Sequence, residues 1–201
     1  MPQAADLQNH ALRRTVITVA LINCAYFGIE FAVGLAIGSV SLFADSIDFL
    51  EDASVNLLIA VGLGWKPLSR ARLGMLLALI LLAPATVGLW TAWQKLMTLA
   101  PPAPVPLTLT GMGALAVNLA CALMLAKFRD HGGSLTKAAF LSARNDTIAN
   151  VAIILAGAVT ALLWRSAWPD LIVGFGIAVM NANAAHEVWE AAHDEHKQAA
   201  P

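Results

Sequence analysis

Four acidic residues lie within one long apolar stretch of the sequence. The stretch from Val40 to Trp65 is long enough to cross a bilayer, yet it contains Asp45, Asp48, Glu51 and Asp52. An acid near the centre of a spanning helix costs roughly 2.5–3.5 kcal/mol on insertion scales. Bound cations, protons or buried basic partners can offset such a cost. The stretch is therefore a candidate site for binding or moving cations.

The spacing of these acids separates the candidate ligands, which share one helical face, from Glu51, which does not. Each residue of an α-helix advances by about 100°, so Asp45, Asp48 and Asp52 form one stripe and Glu51 lies to its side. Asp48 and Asp52 are four residues apart, and side chains at this spacing are neighbours on a helix. The pair can therefore reach one ion together, and Asp45 extends the stripe along the path.

A second polar group lies in a later apolar segment. Asp146 has Ser142 and Asn150 on its helical face at spacings of four. If the two segments are antiparallel spans, Asp48 and Asp52 lie at the same depth as Asp146, near the middle of the bilayer. Three carboxylates around a divalent cation leave a negative balance, which favours exchange of a proton as the ion leaves. The weaker candidate ligands are Asp45, Asn145 and Asn150.

A purely structural role for the acids is the alternative. Arg144 is the one basic residue at this depth, and it cannot neutralise them all. We expect it to form a buried ion pair with Glu51 or Glu30 rather than to join a cation site, since it would repel a cation.

The composition places the chain among membrane proteins. Of its 201 residues 59% are hydrophobic and 12% charged, with a mean hydropathy of +0.71, whereas soluble domains are about 25% charged. The net charge of −1 gives no bulk attraction to nucleic acid, so no nucleic-acid partner is expected. Cys24 and Cys121 lie in apolar runs and are interpreted as small buried hydrophobes.

Hydropathy, together with the polar, Gly- and Pro-containing breaks between apolar segments, predicts an all-α bundle of six transmembrane helices. These helices are predicted to form a single domain over residues 1–201. The predicted spans are 15–37, 40–65, 73–96, 107–126, 135–164 and 168–189. With the N-terminus in the cytosol, nine Lys and Arg residues fall inside and two fall outside, and this bias predicts cytosolic termini. We expect an integral protein of the bacterial inner (plasma) membrane.

The segment from Gly38 to Ala53 resembles the second-helix signature of the cation diffusion facilitators. In that family a glycine-serine turn leads into a helix whose His-or-Asp-xxx-Asp pair binds the transported metal, and Asp48 and Asp52 occupy this pair. Glu30 and Pro169-Asp170 also look like the family. The resemblance implies a homodimer that exports divalent transition metals (Zn, Co, Mn, Fe, Ni or Cd) in exchange for protons, with no prosthetic group. It further implies that the metal site is shared between the second and fifth helices.

Two features depart from the family pattern. Carried over residue by residue, the fifth-helix pair gives Asp146 but only Ser142, a weak ligand, where His or Asp is usual. The chain also ends at Pro201, so the resemblance is to a short form without the cytosolic domain. Because Ser142 is a weak ligand, one alternative stays open: the chain is a non-transporting membrane metal sensor or partner subunit. An enzyme is not expected, because an intramembrane metalloenzyme would need a motif such as HExxH, which the sequence lacks.

A further set of polar residues lies at the C-terminal end: His186, Glu190, His193 and His196. They share a helical face and could collect metal, but a solvated amphipathic tail is the favoured interpretation.

Overall fold

The computed structural model describes residues 2–62, 89–128 and 133–180, and these ranges are helical apart from short turns. The helices are α1 (Pro2–Ile37), α2 (Val40–Gly62), α3 (described over residues 89–98), α4 (Pro104–Ala126), α5 (Gly133–Leu162) and α6 (Trp168–Met180). No strand occurs within the described ranges. The all-α fold is therefore confirmed for this part of the chain.

Within the described ranges, three helices are long and apolar enough to cross a membrane: His10–Ile37, Pro104–Ala126 and Ser142–Leu162. They coincide with the first, fourth and fifth predicted spans. Helix α2 has 23 residues but carries four acids, which accounts for its absence from this group. Residues 73–88 and 181–189 of two further predicted spans lie outside the described residues, so the count of six spans and the orientation stay predictions.

The starts of α1 and α4 lie three or more residues before the predicted spans. Helix α1 begins at Pro2, well before residue 15, because the helix continues beyond the apolar segment. Helix α4 begins at Pro104 rather than residue 107. Proline lacks an N–H but fits the first helical turn, where that N–H has no intrahelical partner.

Helices α1, α2, α4 and α5 form a connected group, in which α1 packs on α2 and α4, and α5 packs on α4 and α2. One hydrophobic cluster includes Val16 and Val19 of α1, Ile59 of α2 and Cys121 of α4. The predicted burial of Cys121 is thus found. The prediction for Cys24 is wrong, because its position on α1 faces away from these contacts and is exposed.

The turn between α1 and α2 is very short, as predicted from Gly38-Ser39. Gly38 adopts a φ of 63°, a left-handed conformation that favours glycine, and Ser39 N–H donates to the Gly34 carbonyl at 3.0 Å. This 6→1 hydrogen bond closes α1 as a Schellman motif. Ser39 also begins α2, since its Oγ accepts a hydrogen bond from Leu42 N–H at 3.2 Å.

The carboxylate of Asp170, on α6, caps the start of α2, although the two lie far apart in the sequence. It accepts hydrogen bonds from Ser39 Oγ and Ser41 Oγ, both at 2.6 Å, and from the backbone N–H groups of Val40 at 2.8 Å and Ser41 at 3.2 Å. We name Asp170, Ser39, Val40 and Ser41 the terminal clamp. A negative charge at a helix N-terminus also interacts favourably with the helix dipole. The clamp therefore ties α6 to α2 through a buried, charge-assisted network.

Helix α3 meets the same turn. Lys95 Nζ donates to the Gly38 carbonyl at 2.6 Å, and a lysine near the C-terminal end of a helix satisfies its last carbonyls. The turn, α3 and α6 thus come together at one end of the molecule.

Gly174 allows α6 to approach the start of α2. A Cβ at this position would lie 2.7 Å from Ser41 N, Val40 C and Val40 Cγ1, whereas at Gly176 it would meet nothing within 4 Å. We expect Gly174→Ala to lower the free energy of unfolding by about 1–3 kcal/mol, because backbone atoms of α2 would have to shift. Thermal unfolding in detergent measures this, with Gly176→Ala as the matched control. Equal effects of the two variants would contradict the contact.

Candidate functional site

Buried polar side chains from four helices face one another inside the bundle. Each is at most 7% exposed: Asn23, Glu30, Asp45, Asp52, Asn56, Asn118, Asp146 and Asn150. We name this set, together with the half-buried Asp48 and Ser142, the polar column. Buried polar groups cost free energy unless they are paired, so a column of this length in an apolar bundle indicates a site rather than ordinary core packing.

Hydrogen bonds hold together the end of the polar column nearest the α1–α2 turn. Asn150 Nδ2, on α5, donates to both carboxylate oxygens of Asp45, on α2, at 2.8 Å each. Asn118 Nδ2, on α4, donates to Asn150 Oδ1 at 3.4 Å. Glu30, on α1, lies within reach of the Asp45 carboxyl group, and neither of its own carboxylate oxygens makes a well-formed hydrogen bond. Asn150 is thereby held to Asp45.

The middle of the column contains the strongest ligand candidates. Asp48 and Asp52, on α2, lie close enough to Asp146, on α5, for the like charges to act on one another. Ser142 is within hydrogen-bonding reach of the Asp52 carboxylate. Asp146 Oδ2 is buried with no hydrogen-bond partner. The structure therefore brings together the four residues that the sequence selected from two distant segments.

The carboxylates face one another without converging on a point. In the described part of the chain, no three or more His, Cys, Asp or Glu side chains are grouped closely enough to hold a metal ion. Like charges at short range repel strongly in a low-dielectric interior. A shared ion would require these side chains to rotate toward one another.

Two residues of α5 lie away from the column. Asn145 is exposed and accepts a hydrogen bond from Arg144 Nη2 at 3.4 Å. Its place as a weaker candidate ligand is not supported by this position. The predicted buried ion pair of Arg144 is wrong, because Arg144 is exposed. The charged neighbours of Glu30 are Asp45 and Asp48, and that of Glu51 is Asp52, so neither acid faces Arg144. Consecutive helical residues point in different directions, so Arg144 and Asn145 cannot share the face of Asp146.

Sequence reasoning missed three asparagines of the column: Asn23, Asn56 and Asn118. Helical spacing in the sequence could have indicated two of the three. Asn23 is seven residues from Glu30, and Asn56 is four from Asp52, so each shares a helical face with a noted acid. Asn118 is the one member contributed by α4, and no spacing within that helix indicates it. The C-terminal histidines lie outside the described residues.

Comparison of the sequence with known protein families gives a match. The family described as the cation efflux transmembrane domain matches residues 16–193, which include every described helix at least in part. A search of curated proteins gave no match. The extent of the family match, together with the acids of α2 and α5 that face each other in the bundle, places the chain among membrane proteins that export cations: it belongs to the cation efflux, or cation diffusion facilitator, family.

Proposed function

We propose that this protein exports divalent transition-metal cations from the cytosol in exchange for protons. The observation that carries the proposal is the pairing of α2 with α5 around Asp48, Asp52 and Asp146, with Ser142 beside Asp52. Carboxylates are hard, anionic ligands for divalent cations. Their position inside an apolar bundle suits an ion in transit across the membrane.

The chemistry follows from the charges of these residues. A divalent cation supplies the positive charge that three facing carboxylates lack, and so draws Asp48, Asp52 and Asp146 together. When the ion leaves, protons stabilise the same carboxylates against their mutual repulsion. The group therefore binds either a metal ion or protons, which couples the two in opposite directions. Ser142, within hydrogen-bonding reach of Asp52, is placed to orient that carboxylate and offers a weak fourth ligand.

The route across the membrane is set by the column. With the termini in the cytosol, the end of the column near the α1–α2 turn faces outward, and Asp45 with Asn150 forms the outer part of the path. Alternating access to the middle acids then moves the ion from one side to the other. The family also implies that the protein works as a homodimer, and we place it in a bacterial inner membrane.

The middle acids favour harder cations. Oxygen ligands suit Mn²⁺ or Fe²⁺ better than the nitrogen-containing sites that suit Zn²⁺, although Zn²⁺ also accepts carboxylates. The preference at this site is therefore modest.

Transport by the purified protein tests the proposal. Proteoliposomes are given an imposed pH gradient and are assayed separately with Zn²⁺, Co²⁺, Mn²⁺, Fe²⁺, Ni²⁺ and Cd²⁺. We expect saturable uptake of at least one ion, accompanied by proton movement in the opposite direction. Absence of uptake for all six ions would overturn the proposal, and retained metal binding would then favour a membrane metal sensor.

A further inference from the structure

The end of the polar column farthest from the α1–α2 turn contains a cysteine beside an asparagine whose amide makes no well-formed hydrogen bond. Cys121, on α4, is fully buried and its thiol faces Asn23, on α1. Asn23 is also fully buried; its side chain reaches the Cys121 thiol, but neither Nδ2 nor Oδ1 makes a well-formed hydrogen bond. Asp52 lies close enough for its charge to act on the thiol. Three helices thus contribute a sulfur atom, an amide and a carboxylate to one buried region.

Asn23 is unusual because its whole amide is buried without a well-formed hydrogen bond. An unsatisfied buried polar group is costly, and native proteins contain few of them. Cys121 otherwise packs among apolar side chains, including Val16, Val19 and Ile59. An apolar residue at position 23 would avoid the penalty. The arrangement is therefore better explained by a ligand that the amide serves than by helix packing.

A second buried amide points to the same end of the column. Asn56 is fully buried on α2, and its Nδ2 donates to the Asp52 carbonyl at 2.8 Å. This bond leaves Asn56 Oδ1 without a partner. The column beyond Asp52 thus presents free amide oxygens, which are acceptable ligands for a cation.

We propose that Cys121, with the amide oxygen of Asn23, forms a second cation site that takes thiophilic divalent ions such as Cd²⁺ and Zn²⁺. The site lies next to Asp52 and is distinct from the group of acids in the middle of the column. Its role as a station for the exported ion rests on the proposed function, but its ability to bind an ion does not.

The chemistry of the site follows from its donors. Thiolate sulfur is a soft ligand that selects for Cd²⁺ and Zn²⁺ over Mn²⁺. Binding replaces the thiol proton with the metal ion, and that proton is released to the solvent. Asp52 supplies a negative charge that helps to hold the cation. The site therefore adds a preference for soft ions that the oxygen ligands of the middle acids do not provide.

Cadmium binding to the purified full-length protein tests the proposal, because a thiolate–Cd²⁺ bond gives an ultraviolet charge-transfer band. The chain has two cysteines, and Cys24 is exposed while Cys121 is buried. Cys24→Ser is therefore the matched control. We expect the wild-type protein and Cys24→Ser to give the same saturable band, and Cys121→Ser to give none. Asn23→Ala is expected to weaken the apparent affinity for Cd²⁺ at least roughly 10-fold, because it removes a ligand and even the loss of an outer neighbour of a metal site costs roughly 10- to 100-fold.

Several results would overturn the site. These are no band in the wild-type protein, a band lost in Cys24→Ser, and a band retained in Cys121→Ser. An unchanged Cd²⁺ affinity in Asn23→Ala would also overturn the proposed site, because the amide oxygen of Asn23 is one of its two ligands. The wild-type titration does not depend on how well a variant folds.

Transport measured on the same preparations separates this inference from the proposed function. Metal uptake without the cadmium band would overturn the second site and leave export intact. The band without uptake would support the site and overturn export. With both present, we expect Cys121→Ser to slow uptake of Cd²⁺ more than uptake of Mn²⁺. An equal effect on both ions would contradict a soft-ion station.

Discussion

Asp52→Asn is expected to lower the initial rate of metal uptake into proteoliposomes at least about 100-fold, which exceeds the effect of losing a supporting neighbour of a metal ligand. Asparagine has nearly the same shape as aspartate but lacks the negative charge and one anionic oxygen. Asp52 is 4% exposed, lies near Asp48 and Asp146, and is within reach of Ser142. Its replacement therefore removes a central ligand without opening a cavity.

Glu51→Gln is the control for this experiment. Glu51 is the adjacent acid on α2, and it lies to the side of the stripe that faces α5. We expect its uptake rate to stay close to that of the wild-type protein. Equal loss of uptake in the two variants would show that general charge in α2 matters rather than the position of Asp52. Wild-type uptake by Asp52→Asn would remove Asp52 from the site.

Asp170→Ala is expected to lower the free energy of unfolding by about 3 kcal/mol or more. The change deprives four donors of the terminal clamp of their acceptor, and each unsatisfied buried donor costs about 1–3 kcal/mol. Serine hydroxyls can turn toward other acceptors, but the N–H groups of Val40 and Ser41 cannot. Thermal unfolding of the detergent-solubilised protein measures the loss.

Two further variants make the interpretation specific. Asp170→Asn keeps one acceptor oxygen, so its stability should lie between those of Asp170→Ala and the wild-type protein. Ser166→Ala removes a single exposed hydrogen bond, from Trp168 N–H to Ser166 Oγ at 3.3 Å, and should cost no more than about 0.5 kcal/mol. A loss for Ser166→Ala as large as that for Asp170→Ala would contradict a special role for the clamp.

Helical periodicity predicted much of the site because its signals are local. The stripe of Asp45, Asp48 and Asp52 depends on the fixed angle between residues of one helix, and so does the face shared by Ser142 and Asp146. The prediction that these two helical faces lie opposite each other also drew on the resemblance to a known family. The short turn at Gly38 was also predictable, since few residues other than glycine adopt its conformation.

The parts that sequence reasoning missed depend on how helices rotate about their axes in the bundle. Arg144 was expected to neutralise a buried acid, yet α5 is rotated so that Arg144 is exposed. Asn118 joins the column through Asn150 of another helix, a contact 32 residues away in the sequence. Asp170 was noted as part of the family pattern, but its partners at the start of α2 follow only from the arrangement of α6 against that helix.

The terminal clamp also has a consequence for biosynthesis. Asp170 is separated from Val40 by 130 residues, and at roughly 5–20 residues per second the ribosome takes on the order of 10 s to make that length of chain. During this interval the first turn of α2 has its own Ser39 cap but not the carboxylate that completes it. The helix with the most buried acids thus reaches its final stability only after the last described helix has been made. Nascent chains stopped before Asp170 should therefore be cleaved by protease near the α1–α2 turn more readily than the full chain.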